Sequence, residues 1–183
     1  MQDPSSIERR AARIKLLLMD CDGVLTDGRL WLLEDGDEQK SFNVRDGLGL
    51  DLWHRAGVKS GIISGRNSIA LERRADGLGI EYVRQGSENK IKDFEELLGL
   101  AQVNEKEVAF VGDDLNDIPL MMRAELAVAV ADAAEETRAV AHLVTQAAGG
   151  TGAIREVVEL ILKAQGRWHE VTEKYLKAVG IRQ

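Results

Sequence analysis

The stretch LLLMDCDGVLTDG, residues 16–28, decides the fold. Leu16, Leu17, Leu18 and Met19 run without a polar break into Asp20, Asp22 follows, and Gly23, Asp27 and Gly28 supply turn chemistry. A short, continuous apolar run bounded by turn residues predicts a strand buried on both faces, as in a parallel sheet covered by helices. Alternate residues of an extended chain point to one side, so Asp20 and Asp22 leave the strand's carboxyl end together. Cys21 points the other way and is expected to be a small buried residue rather than a functional thiol.

Working outward, the same kind of run recurs. Residues 14–19, 58–64, 80–83, 107–112 and 126–130 read as strands. Amphipathic patterns at about 46–57, 66–77, 89–101, 115–124, 134–141 and 151–166 read as helices between and after them. The alternation predicts a doubly wound α/β domain with a parallel sheet. In RLWLLEDGDEQKSFNV (29–44) the alternation breaks, and two short strands around Asp35-Gly36 are expected to form a projecting β-hairpin. Residues 1–183 are expected to form one domain, with a core at about 14–166 and a tail, 167–183, that holds a further short helix.

The bulk numbers exclude several classes of function. The 183 residues carry 24 Lys and Arg against 31 Asp and Glu, a net charge of −7. Nucleic acids and anionic membranes need basic patches, so neither is an expected partner. No run reaches membrane-span length. MQDPSSIERRAAR has no apolar stretch ahead of Ile14, so no secretory signal is expected, and a lone cysteine fits a reducing cytoplasm.

The strand ends carry the chemistry. In doubly wound sheets, ligands bind beyond the carboxyl ends of the strands. There the sequence delivers Asp20 and Asp22, then Ser64-Gly65-Arg66, then Asp113, Asp114 and Asp117 of GDDLND, with Lys90 opening the helix before that third strand. Several carboxylates cannot share a site ionised without a cation, and a compact set of hard oxygens suits Mg²⁺. With a metal present, Asp20 can attack phosphorus, Asp22 can act as general acid and then base, and its backbone carbonyl is available to the ion. Ser64 can hydrogen-bond a phosphoryl oxygen, Lys90 can offset negative charge, and Asp113 can complete the metal shell.

The pattern D-x-D-G-V-x-T-D-G, a strand-ending Ser, a Lys and G-D-D-x-x-D resembles the four motifs of the haloacid dehalogenase superfamily of phosphatases. FNVRDGLGL (42–50), ISGR (63–66), QGSENK (85–90), VGDDLNDIPLM (111–121), LAVAVADA (126–133) and GGTGAIREVVELILKAQG (149–166) are similar to the 3-deoxy-D-manno-octulosonate 8-phosphate phosphatase family. This resemblance implies a magnesium-dependent phosphomonoesterase of lipopolysaccharide precursor synthesis, acting through an aspartyl-phosphate. It implies a capless fold, since neither gap between motifs has room for a cap domain. It also implies a homotetramer in which the hairpins associate and bury Leu30, Trp31, Leu32 and Leu33. Carried over by position, Asp20, Asp22 (through its backbone oxygen) and Asp113 hold Mg²⁺. Asn43, Val44, Arg45, Asp46, Gly47, Arg66, Arg74 and Lys90, with Asp22, bind substrate. The family carries a substrate-contacting Arg where this chain has Asp51. Related enzymes act on nine-carbon sugar-acid phosphates, and one related module, fused to cytidylyltransferases, does not hydrolyse.

Plainer readings stand beside these. Asp114 and Asp117 fit the N-terminal end of a helix as well as a metal shell. Asn43, Arg45 and Arg74 fit exposed surface. Gly149, Gly150 and Gly152 read as a flexible turn before the last helix, with a phosphate cradle as the alternative. His54, His142 and His169 lack ligand spacing. The stripe Ile154, Val157, Val158, Ile161 and Leu162 reads as packing.

Overall fold

The computed structural model of the chain describes residues 4–34 and 38–180. A helix α1 (Pro4–Ala11) precedes β1 (Leu16–Met19). A two-stranded ribbon follows, β2 (Trp31–Leu32) and β3 (Glu38–Gln39), then α2 (Val44–Arg55), β4 (Lys59–Ile63), α3 (Ile69–Leu78), β5 (Tyr82–Arg84) and α4 (Lys90–Ala101). The second half holds β6 (Val108–Gly112), α5 (Ile118–Met121), β7 (Leu126–Ala129), α6 (Glu135–Val140), β8 (Leu143–Val144), α7 (Ala153–Ala164) and α8 (Trp168–Ala178).

Six strands form one parallel sheet in the order β5-β4-β1-β6-β7-β8. The five strands expected from apolar runs are all present; burial on both faces makes β1, β6 and β7 uniformly apolar, while edge strand β5 is only partly buried. Leu16, Leu17, Leu18 and Met19 are each 0% exposed. Helices α2 and α7 pack against each other, α1 and α8 join α7, and α4 packs on α5. The apolar stripe of α7, from Ile154 to Leu162, lies wholly in the core.

The differences from expectation are local. The 115–124 helix is a 3₁₀ turn, Leu115–Asp117, followed by one turn of α-helix. Pro119 lacks the N–H that a continuous helix would use, and the Asp114 carboxylate accepts from the Leu115 N–H, which starts the turn there. The tail does form a helix, α8. The antiparallel ribbon pairs Trp31 with Gln39 and Leu32 with Glu38; its expected turn, Asp35-Gly36, lies outside the described residues. Among the described residues, only this ribbon, α2 and β4 lie between Asp22 and Ser64.

Candidate active site

The chain leaves central strand β1 for β4 and β5 on one side and later returns to β6 on the other. This reversal opens a crevice at the carboxyl ends of β1 and β6. Met19 lies beside Val111 on β6 and Ile62 on β4. The Asp20 N–H still bonds the Val111 carbonyl at 3.0 Å, so Asp20 is held by the sheet ladder itself. One step further, the chain turns at Gly23, whose φ of +90° disfavours other residues. A Cβ there would sit 2.0 Å from Asp113 Oδ2, so the glycine also lets the two motif loops meet.

Lys90 ties the first and fourth motifs together. Its Nζ donates to Asp20 Oδ1 and to Asp117 Oδ1, each at 2.8 Å, and its side chain is 8% exposed. Asp117 Oδ2 accepts from the Asp113 N–H at 3.0 Å, which occupies both oxygens of this fully buried carboxylate. Burial works against the charge on Lys90, but Asp20 and Asp117 outweigh it and hold its pKa above the ordinary lysine value. For Asp20, burial and then the neighbouring Asp117 raise the pKa to about 6, with Lys90 pulling it back. Burial, Asp117, Asp20 and Asp114 push Asp113 up to about 8. Carboxylate oxygens of Asp20, Asp113 and Asp117 lie within 4.8 Å of one another. Carboxylates crowded until they hold protons near neutrality fit a hard divalent cation. Asp117, beyond its place in this cluster, holds Lys90 and the Asp113 N–H, and Asp114 is exposed.

Ser64 ends β4, is 2% exposed, and accepts from the Arg66 N–H at 3.3 Å. From the other side the hairpin reaches in. Lys40, on the segment leaving β3, bonds Asp22 Oδ1 and lies 3.2 Å from Glu38 Oε2. Glu38 in turn pairs with Arg66. The Lys40 side chain is 1% exposed. Burial opposes its charge, and Asp22 then Glu38 more than compensate. Neither Lys40 nor Glu38 is marked by the motifs; the only sequence signal is that they alternate with exposed Gln39.

The expected substrate residues divide. Asn43 caps α2, accepting from the Arg45 N–H at 2.8 Å, and its Nδ2 donates to the Gly150 carbonyl. Arg74 packs over the Phe42 ring and donates to the Asn43 carbonyl at 3.1 Å, and Gly47 leaves room for that guanidinium. Arg66 is on Glu38. By contrast, Asp46 turns to the start of α7, where it accepts from the Arg155 N–H at 2.9 Å. Burial raises its pKa, and the Arg155, Gly152 and Ile154 amides offset part of the rise. Val44 is 82% exposed, and Arg45 is exposed along a groove beside α7, with Thr151, Gly152 and Arg155. Asp51 pairs with Arg55 at 2.8 Å.

The glycines before α7 are packed against the first motif loop. A Cβ on Gly149 would lie 1.8 Å from the Gly23 carbonyl oxygen, and the Gly150 N–H donates to the Val24 carbonyl. Close backbone approach is therefore the role of Gly149 and Gly150, whereas Gly152 has open space around it and a φ of +116°. Cys21 is fully buried, and burial pushes its thiol pKa up. His54 bonds Ser60, His142 accepts from the Ala127 N–H, and His169 is exposed. Among the described residues, no helix is long and apolar enough to cross a membrane.

Comparison with known proteins shows the family and the fold. The haloacid dehalogenase-like hydrolase family matches residues 78–157. The 3-deoxy-D-manno-octulosonate 8-phosphate phosphatase of Yersinia pestis is 44% identical over 138 residues, 75% of this chain and 74% of that protein. A probable YrbI family phosphatase from Pseudomonas syringae superposes with a TM-score of 0.90 at 47% identity, covering 94% of this chain and 98% of that one. The 3-deoxy-D-manno-octulosonate 8-phosphate phosphatase of Moraxella catarrhalis, solved with magnesium, phosphate and KDO, gives 0.91 at 38% identity over 94% of this chain and 99% of that one.

Proposed function

The chain belongs to the 3-deoxy-D-manno-octulosonate 8-phosphate phosphatase family of haloacid dehalogenase-like hydrolases and is a phosphoric monoester hydrolase; from that premise we propose that it hydrolyses 3-deoxy-D-manno-octulosonate 8-phosphate to the free sugar acid and phosphate, with Mg²⁺ and through an aspartyl-phosphate on Asp20. The observation that carries this reading is Lys90, which holds Asp20 and Asp117 beside Asp113 at the β1–β6 crevice. Asp20, Asp113 and the backbone oxygen of Asp22 would hold the ion. When bound, it offsets the carboxylate charge and polarises the phosphoryl group.

The chain's own groups perform the rest. An Asp20 carboxylate oxygen attacks phosphorus, the ester P–O bond breaks, and its electron pair stays on the leaving oxygen. That oxygen takes the proton of Asp22. Ser64 and Lys90 hold the phosphoryl oxygens as charge spreads over them. Water then gives a proton to Asp22 as it attacks phosphorus, and the broken bond returns its electrons to Asp20. Asn43, Arg66 and Arg74 would line the substrate side of the crevice, where guanidinium groups can bind phosphate or carboxylate, with Arg45 beside them and Asp46 holding the start of α7.

We assign the active form to a homotetramer in the cytoplasm. Leu30, Trp31, Leu32 and Leu33 of the ribbon are 42%, 60%, 73% and 45% exposed, a contiguous apolar patch that association would cover. Phosphate release from a sugar-phosphate panel, with Mg²⁺ and with EDTA, tests the function. The expected result is magnesium-dependent turnover that prefers 3-deoxy-D-manno-octulosonate 8-phosphate and is abolished in Asp20→Asn. Preference for a nine-carbon sugar-acid phosphate would reassign the substrate and implicate Asp51. No turnover of any ester would overturn the reading in favour of a non-catalytic tetrameric module.

A further inference from the structure

We propose that Lys40 is the positioning residue for the general acid: it anchors Asp22 by one carboxylate oxygen, Oδ1, and so leaves Oδ2 as the atom that passes the proton to and from the ester. This rests on the reading of Asp22 as acid and base given above.

Lys40 is built for holding rather than for reaching. Its side chain is 1% exposed, and a lysine buried that deeply must be paired. Its partners are Asp22 Oδ1 and Glu38 Oε2, and Glu38 is itself held by Arg66. Strand alternation explains how the hairpin supplies both groups: Glu38 and Lys40 face inward while Gln39 faces solvent. The result is a line of alternating charge from the end of β4, through the ribbon, to the loop after β1. The far oxygen is different. Asp22 Oδ2 is buried and has no hydrogen-bond partner among the described residues. A buried acceptor is seldom left so unless it has work to do. A carboxylate pinned by both oxygens cannot meet a leaving group, and one pinned by neither samples many rotamers. One anchored oxygen and one unpartnered oxygen is the arrangement proton delivery needs. In the forward step the ester oxygen keeps the electron pair of the broken P–O bond and takes the proton from Oδ2. In the second step water returns a proton to the same atom.

The test is the leaving-group dependence of kcat/KM in Lys40→Met, which keeps the buried stem and removes the charge. An alkoxide leaving group needs the proton; p-nitrophenolate does not. With 3-deoxy-D-manno-octulosonate 8-phosphate, kcat/KM is expected to fall about 100-fold, the lower end of what general acid catalysis contributes. With p-nitrophenyl phosphate the loss is expected to stay within about threefold. Lys40→Arg, which keeps a donor and a charge, is expected to recover part of the sugar-phosphate rate. Equal losses on both esters, or no loss on either, overturn the proposal. If Lys40→Met does not fold, Lys40→Gln is read by the same two ratios. Failure of the underlying function looks different: the unaltered chain itself would turn over neither ester.

Discussion

Magnesium affinity is expected to climb steeply with pH, because the ion must displace protons that the acidic cluster holds in its absence. Asp20 is raised to about 6 and Asp113 to about 8, in each case by burial first and then by neighbouring carboxylates. At pH 5 roughly two protons have to leave for the ion to enter, and at pH 7 roughly one. Integrated from pH 5 to pH 8, the affinity would rise by roughly three to four decades, against about a tenth of a decade or less for carboxylates at ordinary values. Asp113 keeps some solvent contact, which screens part of its shift, so about three decades is the expected rise. Stability follows the same linkage. Both folded values lie above the ordinary 3.8, so the protonated cluster's contribution to the metal-free fold is complete below about pH 4 and is lost as pH rises through 6 and then 8. The increase in Tm on saturating with Mg²⁺ is therefore larger near pH 8 than near pH 5.5. Isothermal titration calorimetry in two buffers of different ionisation enthalpy counts the displaced protons directly. An affinity flat across this range, with no proton release near pH 7, would refute the reasoning and move the ion away from Asp20 and Asp113.

Four further outcomes are expected. Lys90→Met strips two buried carboxylates, Asp20 and Asp117, of a partner 2.8 Å away; denaturant unfolding should show a loss of about 3–5 kcal/mol, part of it restored by Mg²⁺. Gly149→Ala places a Cβ 1.8 Å from the Gly23 oxygen and must push the first motif loop aside by about an ångström, which is expected to lower kcat about 100-fold in steady-state assays while the sheet persists by circular dichroism. Asp46→Ala removes the acceptor at the start of α7 and should cost about 1 kcal/mol in urea unfolding, with the Mg²⁺-induced rise in Tm unchanged. Replacing Trp31 and Leu32 together by Ser takes away side chains that are 60% and 73% exposed, so the monomer should lose less than about 0.5 kcal/mol while sedimentation velocity shows smaller species.

What the sequence revealed and what it hid follow from the range of the forces involved. Strand β1 was legible because four consecutive buried residues leave an unbroken apolar run, and Asp20, Ser64 and Asp113 were legible because a parallel sheet delivers its strand ends to one edge. Strand β8 left no such trace. It is two residues long and exists because Leu143 and Val144 pair with Val128 and Ala129, a tertiary event that no local pattern announces. Helix α1 is similar: Arg10 donates to the Glu125 carbonyl at 2.7 Å across more than a hundred residues, and that contact docks an otherwise polar segment. Lys40 hid for another reason. On a short edge ribbon a lysine reads as a charge facing water, and only the folded hairpin shows that it reaches Asp22. Asp117 did carry a local signal, since it lies one helical turn from Asp113 and accepts its N–H, but spacing alone could not separate a ligand from a residue that steadies one.

The connected charges explain how a chain of net charge −7 can receive a phosphate ester at all. Five carboxylates, Asp20, Asp22, Glu38, Asp113 and Asp117, meet three cations, Lys40, Arg66 and Lys90. The deficit is two positive charges, the charge of one Mg²⁺. Without the ion, the cluster relieves itself by holding protons, as the raised Asp20 and Asp113 show. With it, on the proposed mechanism, those protons would leave and Asp20 would become the ionised nucleophile; with Asp22 holding the proton a general acid must carry, the site would stand about one charge positive before substrate arrives. A phosphate dianion then meets local cations, the ion and Lys90, rather than the chain's overall negative field, because that field is screened beyond about 8 Å at physiological ionic strength while the contacts that decide binding are much shorter. The same accounting sets the place of the hairpin. Lys40 and Arg66 answer Glu38, and Asp22 once it has given up its proton, so the ion's charge would be left for the carboxylates that take part in attack.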